Sequence, residues 1–265
     1  MITATVGRAT RILAPNPGPM TLDGTNTWLL VEPGSSAGVV VDPGPEHEGH
    51  LGAVLATAAA ANVRVGLVLL THGHPDHAEG ANRFAQLAGG VPVRALDPRH
   101  RLGTEGLGDG DEVRFGGLEI RVVGTPGHTS DSLSFVVPAD RSVLTGDTVL
   151  GRGTTVVAHP DGRLADYLAS LRRLRDLAAA HEISTVLPGH GPVLTDALAA
   201  VEGYLAHRSD RLAQVERAVA AGARTPRDVV ERVYADVDRA VWPAAELSVR
   251  AQLEYLAETG KSIGG

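Results

Sequence analysis

Cysteine is absent from this chain. Its absence removes disulfides, thiol nucleophiles and thiolate metal ligands together, so any metal here must be held by histidine and carboxylate. The formal charge of −7 over 265 residues argues against a general polyanion binder, because affinity for a phosphate backbone comes mostly from Lys and Arg. Lysine is nearly missing, Lys261 being the only one, which reads as compositional bias and carries no functional argument. The chain has only nine aromatics. No platform for stacking bases stands out, and Trp28 and Tyr167 read as core rather than substrate surface. No apolar run approaches the roughly 20 residues of a bilayer span, and Met1-Ile2-Thr3-Ala4-Thr5 has no basic region followed by an apolar stretch. The expectation is a soluble, cytoplasmic protein with no membrane partner.

Histidine, by contrast, is concentrated. Thr71-His72-Gly73-His74-Pro75-Asp76-His77 follows directly on the apolar run Val65-Gly66-Leu67-Val68-Leu69-Leu70. Three imidazoles and a carboxylate crowded at the end of a buried strand carry a desolvation cost that a bound metal offsets, and neutral imidazole is the commonest metal ligand.

Around this run, short apolar stretches bounded by Pro and Gly predict strands in the first forty residues, one of them closing at Asp42-Pro43-Gly44-Pro45. A helix is expected over 46–61, a strand over 64–70 and a helix over 77–88. Strands are expected over 91–95, 111–115, 118–123, 133–137 and 142–144, with a hairpin at Gly116-Gly117. Leu164, Leu168, Leu171, Leu174 and Leu177 predict a helix over 164–180, and a short strand follows over 185–187. Gly106-Leu107-Gly108-Asp109-Gly110 reads as a turn. Strands framed by helices, with every candidate ligand at a strand end, suggest an α/β sandwich with its site along one edge, although the coarse pattern leaves other α/β arrangements open. Beyond Thr195 the strands stop, and three helices are expected over 196–221, 226–235 and 244–259, the second capped by Thr225 with Pro226 in its first turn. The expected division is a hydrolase domain over 1–200 and a helical module over 201–265. From residue 200 onward the tail carries nine basic and ten acidic residues, not the basic stripe of a nucleic-acid reader.

Two metals need three or four donors each, with a position left open for water. His72 and His74, flanking a glycine, can turn to one centre, and Asp76 and His77, beyond a stiffening proline, to a second. His128, Asp147 and His190 each lie in a turn-rich context at a strand end. One carboxylate between the metals would complete both shells.

The run Thr71 to His77 resembles the HxHxDH motif of the metallo-β-lactamase superfamily, and the later His, Asp and His follow in that superfamily's order. The resemblance implies an αββα sandwich in which His72, His74 and His128 bind one metal, Asp76, His77 and His190 the other, and Asp147 bridges. Asp76 and Asp147 are then also the candidate catalytic residues, acting with a hydroxide shared between the metals. The segment 16–29, Gly151-Arg152-Gly153-Thr154-Thr155-Val156 and His207-Arg208 are similar to the lactamase-β-like protein 2 branch, here in a bacterial-type form. That branch carries a C-terminal winged-helix-like module, and because the chain stops at Gly265 any wing is expected to be very short. The branch implies a hydrolase of single-stranded RNA holding two Zn2+, with iron or manganese as other metals that such ligands accept. The rival expectation is thioester hydrolysis of the glyoxalase II kind. A third is a DNA-binding regulator with a metal-sensing domain, which the neutral tail disfavours, so no duplex DNA partner is expected.

Among other residues, Asp42 reads either as a turn residue or as support for the metal ligands. Thr129, Ser130, Asp131 and Ser132 read either as caps of a following element or as substrate contacts, with capping favoured. His47, His50, His100, His159, His181 and His207 read as surface or packing, with His50 and His159 the two most worth locating.

Overall fold

Along Asn26–Val31, Trp28 and Leu30 face one way and Leu29 the other. Along Ala37–Val41, Val39 and Val41 are likewise opposed to Val40. A period of two with both faces apolar demands that the sheet be covered on both sides. The computed structural model, which describes residues 3–260, shows what covers it.

Strands β1 (Thr3–Val6), β2 (Ala9–Leu13), β3 (Asn26–Val31), β4 (Ala37–Val41), β5 (Arg64–Leu69) and β6 (Val93–Arg94) form one sheet in sequence order, antiparallel up to β4 and parallel beyond it. Strands β7 (Glu112–Phe115), β8 (Leu118–Gly124), β9 (Leu133–Val137), β10 (Ser142–Gly146) and β11 (Thr185–Pro188) form the second, with only β10 and β11 parallel. Parallel neighbours need a crossover, and each crossover here is helical. Helix α1 (Glu48–Ala60) joins β4 to β5, α2 (Pro75–Ala78) and α3 (Ala81–Leu87) join β5 to β6, and α4 (Leu164–Ala179) joins β10 to β11.

Trp28, Leu30, Val41 and Leu69 meet Leu118, Ile120, Phe135 and Leu144 between the sheets. Leu29, Val40 and Val68 pack outward on Leu51, Val54 and Phe84 of α1 and α3. Val136, Val143 and Val186 pack outward on Tyr167, Leu171 and Leu174 of α4. The result is the expected αββα sandwich.

Helices α5 (Ala197–Ala220), α6 (Pro226–Val233) and α7 (Trp242–Glu258) follow, and Val201, Val215, Val230 and Val249 join the same apolar cluster as α4. Thr225 caps α6 through a capping box with Asp228, with Pro226 in the first turn, as its sequence predicts. Among the described residues no strand follows β11, so none forms a wing. Residues 261–265, the end of the expected module, lie outside the described residues. No helix among them is long and apolar enough to cross a membrane.

Several boundaries differ from expectation for local reasons. The helix expected over 77–88 is two short helices, because the chain turns at Gly80, whose N–H bonds the Gly44 carbonyl at 2.9 Å. The first helix begins at Glu48 rather than Glu46, since His47 caps it by accepting the His50 N–H. The strand expected over 91–95 is only Val93–Arg94, as Pro92 has no N–H to give the ladder. The last helix starts at Trp242, with Pro243 in its first turn.

Four strand ends define one edge of the molecule: Asp42 follows β4, Thr71 to His77 follow β5, Asp147 follows β10 and His190 follows β11. His128, in the loop between β8 and β9, completes it. Phe135, fully buried between the sheets, holds that edge from below. Phe135→Ala is expected to lower stability by about 3–5 kcal/mol, measured by denaturant unfolding, and a loss under about 1 kcal/mol would contradict this packing.

Candidate metal centre

His72, His74 and His128 present one nitrogen each within 4.8 Å of one another, as do the donor atoms of Asp76, His77 and His190. His72, His77 and Asp147 make a third such set, which joins the first two. The Nδ1 of His74 lies 3.0 Å from Nε2 of His128, and the Nε2 atoms of His77 and His190 are 3.2 Å apart. Asp147 sits between the groups, with Oδ1 at 3.3 Å from His77 Nε2 and 3.4 Å from His190 Nε2, and Oδ2 at 3.6 Å from His128 Nε2. Asp76 Oδ2 is 3.1 Å from His190 Nε2. The structure thus brings all seven sequence-predicted ligands to one place.

The far side of most rings is tied down. Asp42 accepts from the Thr71 N–H at 2.8 Å and the Thr71 hydroxyl at 2.7 Å, and its Oδ2 lies 2.8 Å from His77 Nδ1. Because the Thr71 hydroxyl donates to Asp42, it accepts from His72 Nδ1, 3.0 Å away. Carbonyl oxygens do the same for His128 (Val156, 2.7 Å) and His190 (Gly24, 3.1 Å). When neutral, as metal ligands must be, each of these four rings therefore carries its proton on Nδ1 and turns an Nε2 lone pair inward. Asp42 reaches this position with φ +50, a backbone conformation uncommon outside glycine, and it touches Thr71 and His77 rather than the converging nitrogens.

Thr71, Thr25, Asn16 and Asn26 fall in the segments that carry the family resemblance, but nothing in the sequence marked them as supports of the centre. Asn16 bonds the Thr25 hydroxyl, which lies 3.5 Å from Asp76 Oδ2. The Asn26 side-chain amide and the Trp28 indole N–H both donate to the Pro188 carbonyl, fixing the turn that carries His190. Trp28 and Tyr167 are core residues, and the Tyr167 hydroxyl donates to the Thr148 carbonyl. Two glycines allow close approach. A side chain at Gly189 would strike Asp147 and His77, and one at Gly127 (φ +133) would strike the Tyr167 backbone at the start of α4.

Of the two further histidines worth locating, His50 is buried against the Thr27 hydroxyl, which donates to the Asp42 carbonyl, and burial lowers its pKa to about 4. His159 is half-exposed beside Glu254 and stands apart from the centre. His207 lines a cleft described below. Asp97, His100 and Asp131 form another His/Asp group, although Arg99 engages both oxygens of Asp97 through backbone and side chain. Thr129 and Ser132 bond each other and Ser130 bonds Asp161, so they brace a loop instead of capping a helix.

A cation fits the donor set. His72 Nε2 and Asp147 Oδ1 are buried without a hydrogen-bond partner, and such atoms are costly unless something binds them. Imidazole nitrogens and carboxylate oxygens are the donors that divalent metals take, and ligands about 2.0–2.1 Å from a tetrahedral ion stand about 3.4 Å apart, close to the separations above.

The electrostatics agree. Burial drives His72 well below the ordinary histidine value, and burial with the His128 charge lowers His74. Burial opposes charge on Asp147 and Asp76 too, but His77 and His190 overcome it, holding Asp147 well below the carboxylate range and Asp76 at about 2. Against burial, Asp147 and Asp76 raise His77 well above 6.5, and Asp147 raises His190 to about 9.

Residues 20–190 match the metallo-beta-lactamase superfamily. The chain belongs to that superfamily. Residues 225–262 of this metallo-beta-lactamase superfamily member match the beta-lactamase associated winged helix domain. It is 34% identical over 260 residues to the beta-lactamase-like protein 2 homolog of Caenorhabditis elegans, covering 95% of this chain and 84% of that one. It is 31% identical over 278 residues to an atrochrysone carboxyl ACP thioesterase of Cryptosporiopsis sp., covering 96% and 81%. A metallo-beta-lactamase family protein of Thermus thermophilus shares the fold with a TM-score of 0.80 at 23% identity, over 97% and 95% of the two chains. The lactamase-β-like protein 2 branch expected from the sequence thus holds, with curated relatives from eukaryotes.

Two outcomes follow for this superfamily member. Asp42→Asn, which keeps the shape but loses the charge opposite His77, is expected to weaken metal binding about 10–100-fold in competition with a chromophoric chelator; unchanged affinity would remove Asp42 from the ligand support. The raised His77 and His190 stabilise the metal-free fold fully below about pH 6.5, and this contribution is lost as pH rises through their folded values, about 9 for His190. The lowered histidines are neutral in both states above about 6.5 and do not oppose this. Metal-free protein should therefore lose thermal stability from about pH 6.5 to 9, and metal-loaded protein should not. Parallel pH profiles for both forms would contradict the assignment.

Proposed function

We propose that the protein is a binuclear zinc hydrolase of small acyl thioesters, with His72, His74 and His128 holding one ion, Asp76, His77 and His190 the other, and Asp147 shared between them. Such a pair, when bound, lowers the pKa of water toward about 7 and polarises the scissile carbonyl. The chain's own part is positional. Asp42, the Thr71 hydroxyl and the carbonyls of Gly24 and Val156 fix the Nδ1 protons, so the inward nitrogens need no rearrangement. Asp76 is the most open of the carboxylates, its side chain 27% exposed against 11% for Asp147, and it marks the side from which substrate arrives. A leaving thiolate, with an ordinary pKa near about 8.5, departs without a protein acid.

The observation that carries the choice of bond is a cleft whose wall includes Thr155 and Val156, the residues that bond the Asp147 carbonyl and the outer nitrogen of His128. Its volume is about 240 Å³, and it is walled by Met20, Val156, Tyr234, Val237 and Ala245, a slot suited to a small, partly apolar substrate. The thioesterase named among the relatives supports the same reading. Single-stranded RNA cleavage, implied by the branch resemblance, is the alternative. Against it, none of the nine aromatics is fully exposed, and the ring of Tyr234, the aromatic that lines the cleft, is already covered by the Arg211 guanidinium. A DNA-binding regulator is disfavoured by the lack of any wing strand among the described residues.

The test is to incubate protein of known metal content with acyl thioesters and with single-stranded RNA, beside His74→Ala and Asp147→Ala. Thioester hydrolysis lost in both variants is expected, with RNA intact. Cleavage of RNA alone would replace the thioester reading, and full activity in both variants would overturn the binuclear scheme.

A further inference from the structure

The same cleft has a charged side that the proposed chemistry does not use. His207, Arg208 and Arg211 of α5 line it together with Ser248 of α7. No Asp or Glu lines it, although the chain as a whole carries a charge of −7. Arg208 is 95% buried, its relative exposure being 5%, and has no carboxylate partner among the described residues. It donates to the Thr155 carbonyl and stacks on the Tyr167 ring, while its Nε is buried with no hydrogen-bond partner. Among the described residues Arg211 likewise contacts neutral groups: the Gln214 side-chain oxygen, the Val233 carbonyl and the Tyr234 ring. Burial, then Arg208 and Arg211, lower the His207 pKa, with Asp210, which does not line the cleft, opposing them. A desolvated guanidinium facing no anion is unfavourable; an anion entering the cleft would relieve the buried Arg208 and pair with the half-buried Arg211 beside it.

The cleft is joined to the metal centre through its wall. The Thr155 carbonyl that Arg208 holds belongs to the same residue whose hydroxyl donates to the Asp147 carbonyl, and the next carbonyl, Val156, orients His128.

We infer that Arg208, Arg211 and His207 form a subsite for an anionic group on the thiol half of the substrate, a phosphate or a carboxylate, while the thioester lies at the metal centre. This rests on the thioesterase reading for its orientation but not for the anion site itself. Guanidinium forks match carboxylate and phosphate oxygens, and the apolar wall of Met20, Tyr234 and Val237 accommodates the stem that carries them. The subsite would select a charged thiol carrier over a neutral one.

The test uses metal-loaded full-length protein and three thioethers that neither hydrolyse nor offer a thiolate: S-methyl-coenzyme A (phosphates), S-methylglutathione (carboxylates) and neutral S-methyl-N-acetylcysteamine. Calorimetry is expected to show at least one anionic probe binding about tenfold or more tightly than the neutral one, with the stronger of the two identifying phosphate or carboxylate. Arg211→Gln should bring the ratio toward one, and Arg250→Gln, on the exposed face of α7, should preserve it. Equal binding of all three probes, or a preference untouched by Arg211→Gln, overturns the proposal. Anion binding lost in Arg211→Gln without hydrolysis of any thioester would sink the thioesterase reading while leaving the subsite standing. Because Arg208→Gln removes the Thr155 contact as well, it should also weaken metal binding, whereas Arg211→Gln should not.

Discussion

The centre depends on one buried carboxylate that is not among its candidate ligands. Asp42, 2% exposed, accepts from the Thr71 N–H and hydroxyl and faces the His77 ring. In doing so it joins the end of β4 to the loop after β5, and through the Thr71 hydroxyl it also sets His72. A negative charge at that depth is tolerable only because these donors satisfy it, and its left-handed backbone persists because the same bonds over-determine it. Without Asp42 one ring in each proposed metal shell, His72 and His77, would lose the partner that fixes its tautomer.

Around this anchor the sandwich works as a clamp. Strand ends and the loop between β8 and β9 deliver the candidate ligands to one edge, while Asn26 and Trp28, from the first sheet, hold the turn after β11 in the second. The C-terminal helices are part of the same construction. Their apolar residues share a core with α4, and Arg208 reaches the loop that orients His128 and Asp147. The module therefore completes the wall of the cleft and bears on the centre at the same time.

Much of the site was legible in the sequence because its signal is local: three histidines and an aspartate in six residues after an apolar strand have few other physical explanations. His128, Asp147 and His190 were readable only as a set, each marked by Gly or Pro at a strand end. The supports were not legible. The carbonyls of Gly24 and Val156 are backbone atoms without any sequence signature, and Thr25, Asn26 and Thr71 act through bonds to Asp76, the Pro188 carbonyl and Asp42, partners that only the folded chain brings near. Asp42 fitted a turn as well as a support until its partners were seen. In the fold, helix and strand identities followed from periodicity, whereas the break at Gly80 and the shortened β6 arose from tertiary contact and from a proline at the sheet edge.

The central claim is that Asp147 stands between two metal ions. Anomalous difference maps from crystals of zinc-loaded protein, recorded on either side of the zinc absorption edge, test it most directly. Two peaks are expected, one enclosed by His72, His74 and His128 and one by Asp76, His77 and His190, with a carboxylate oxygen of Asp147 within bonding distance of both. A single peak, or a second peak at Asp97, His100 and Asp131 instead, would contradict the account.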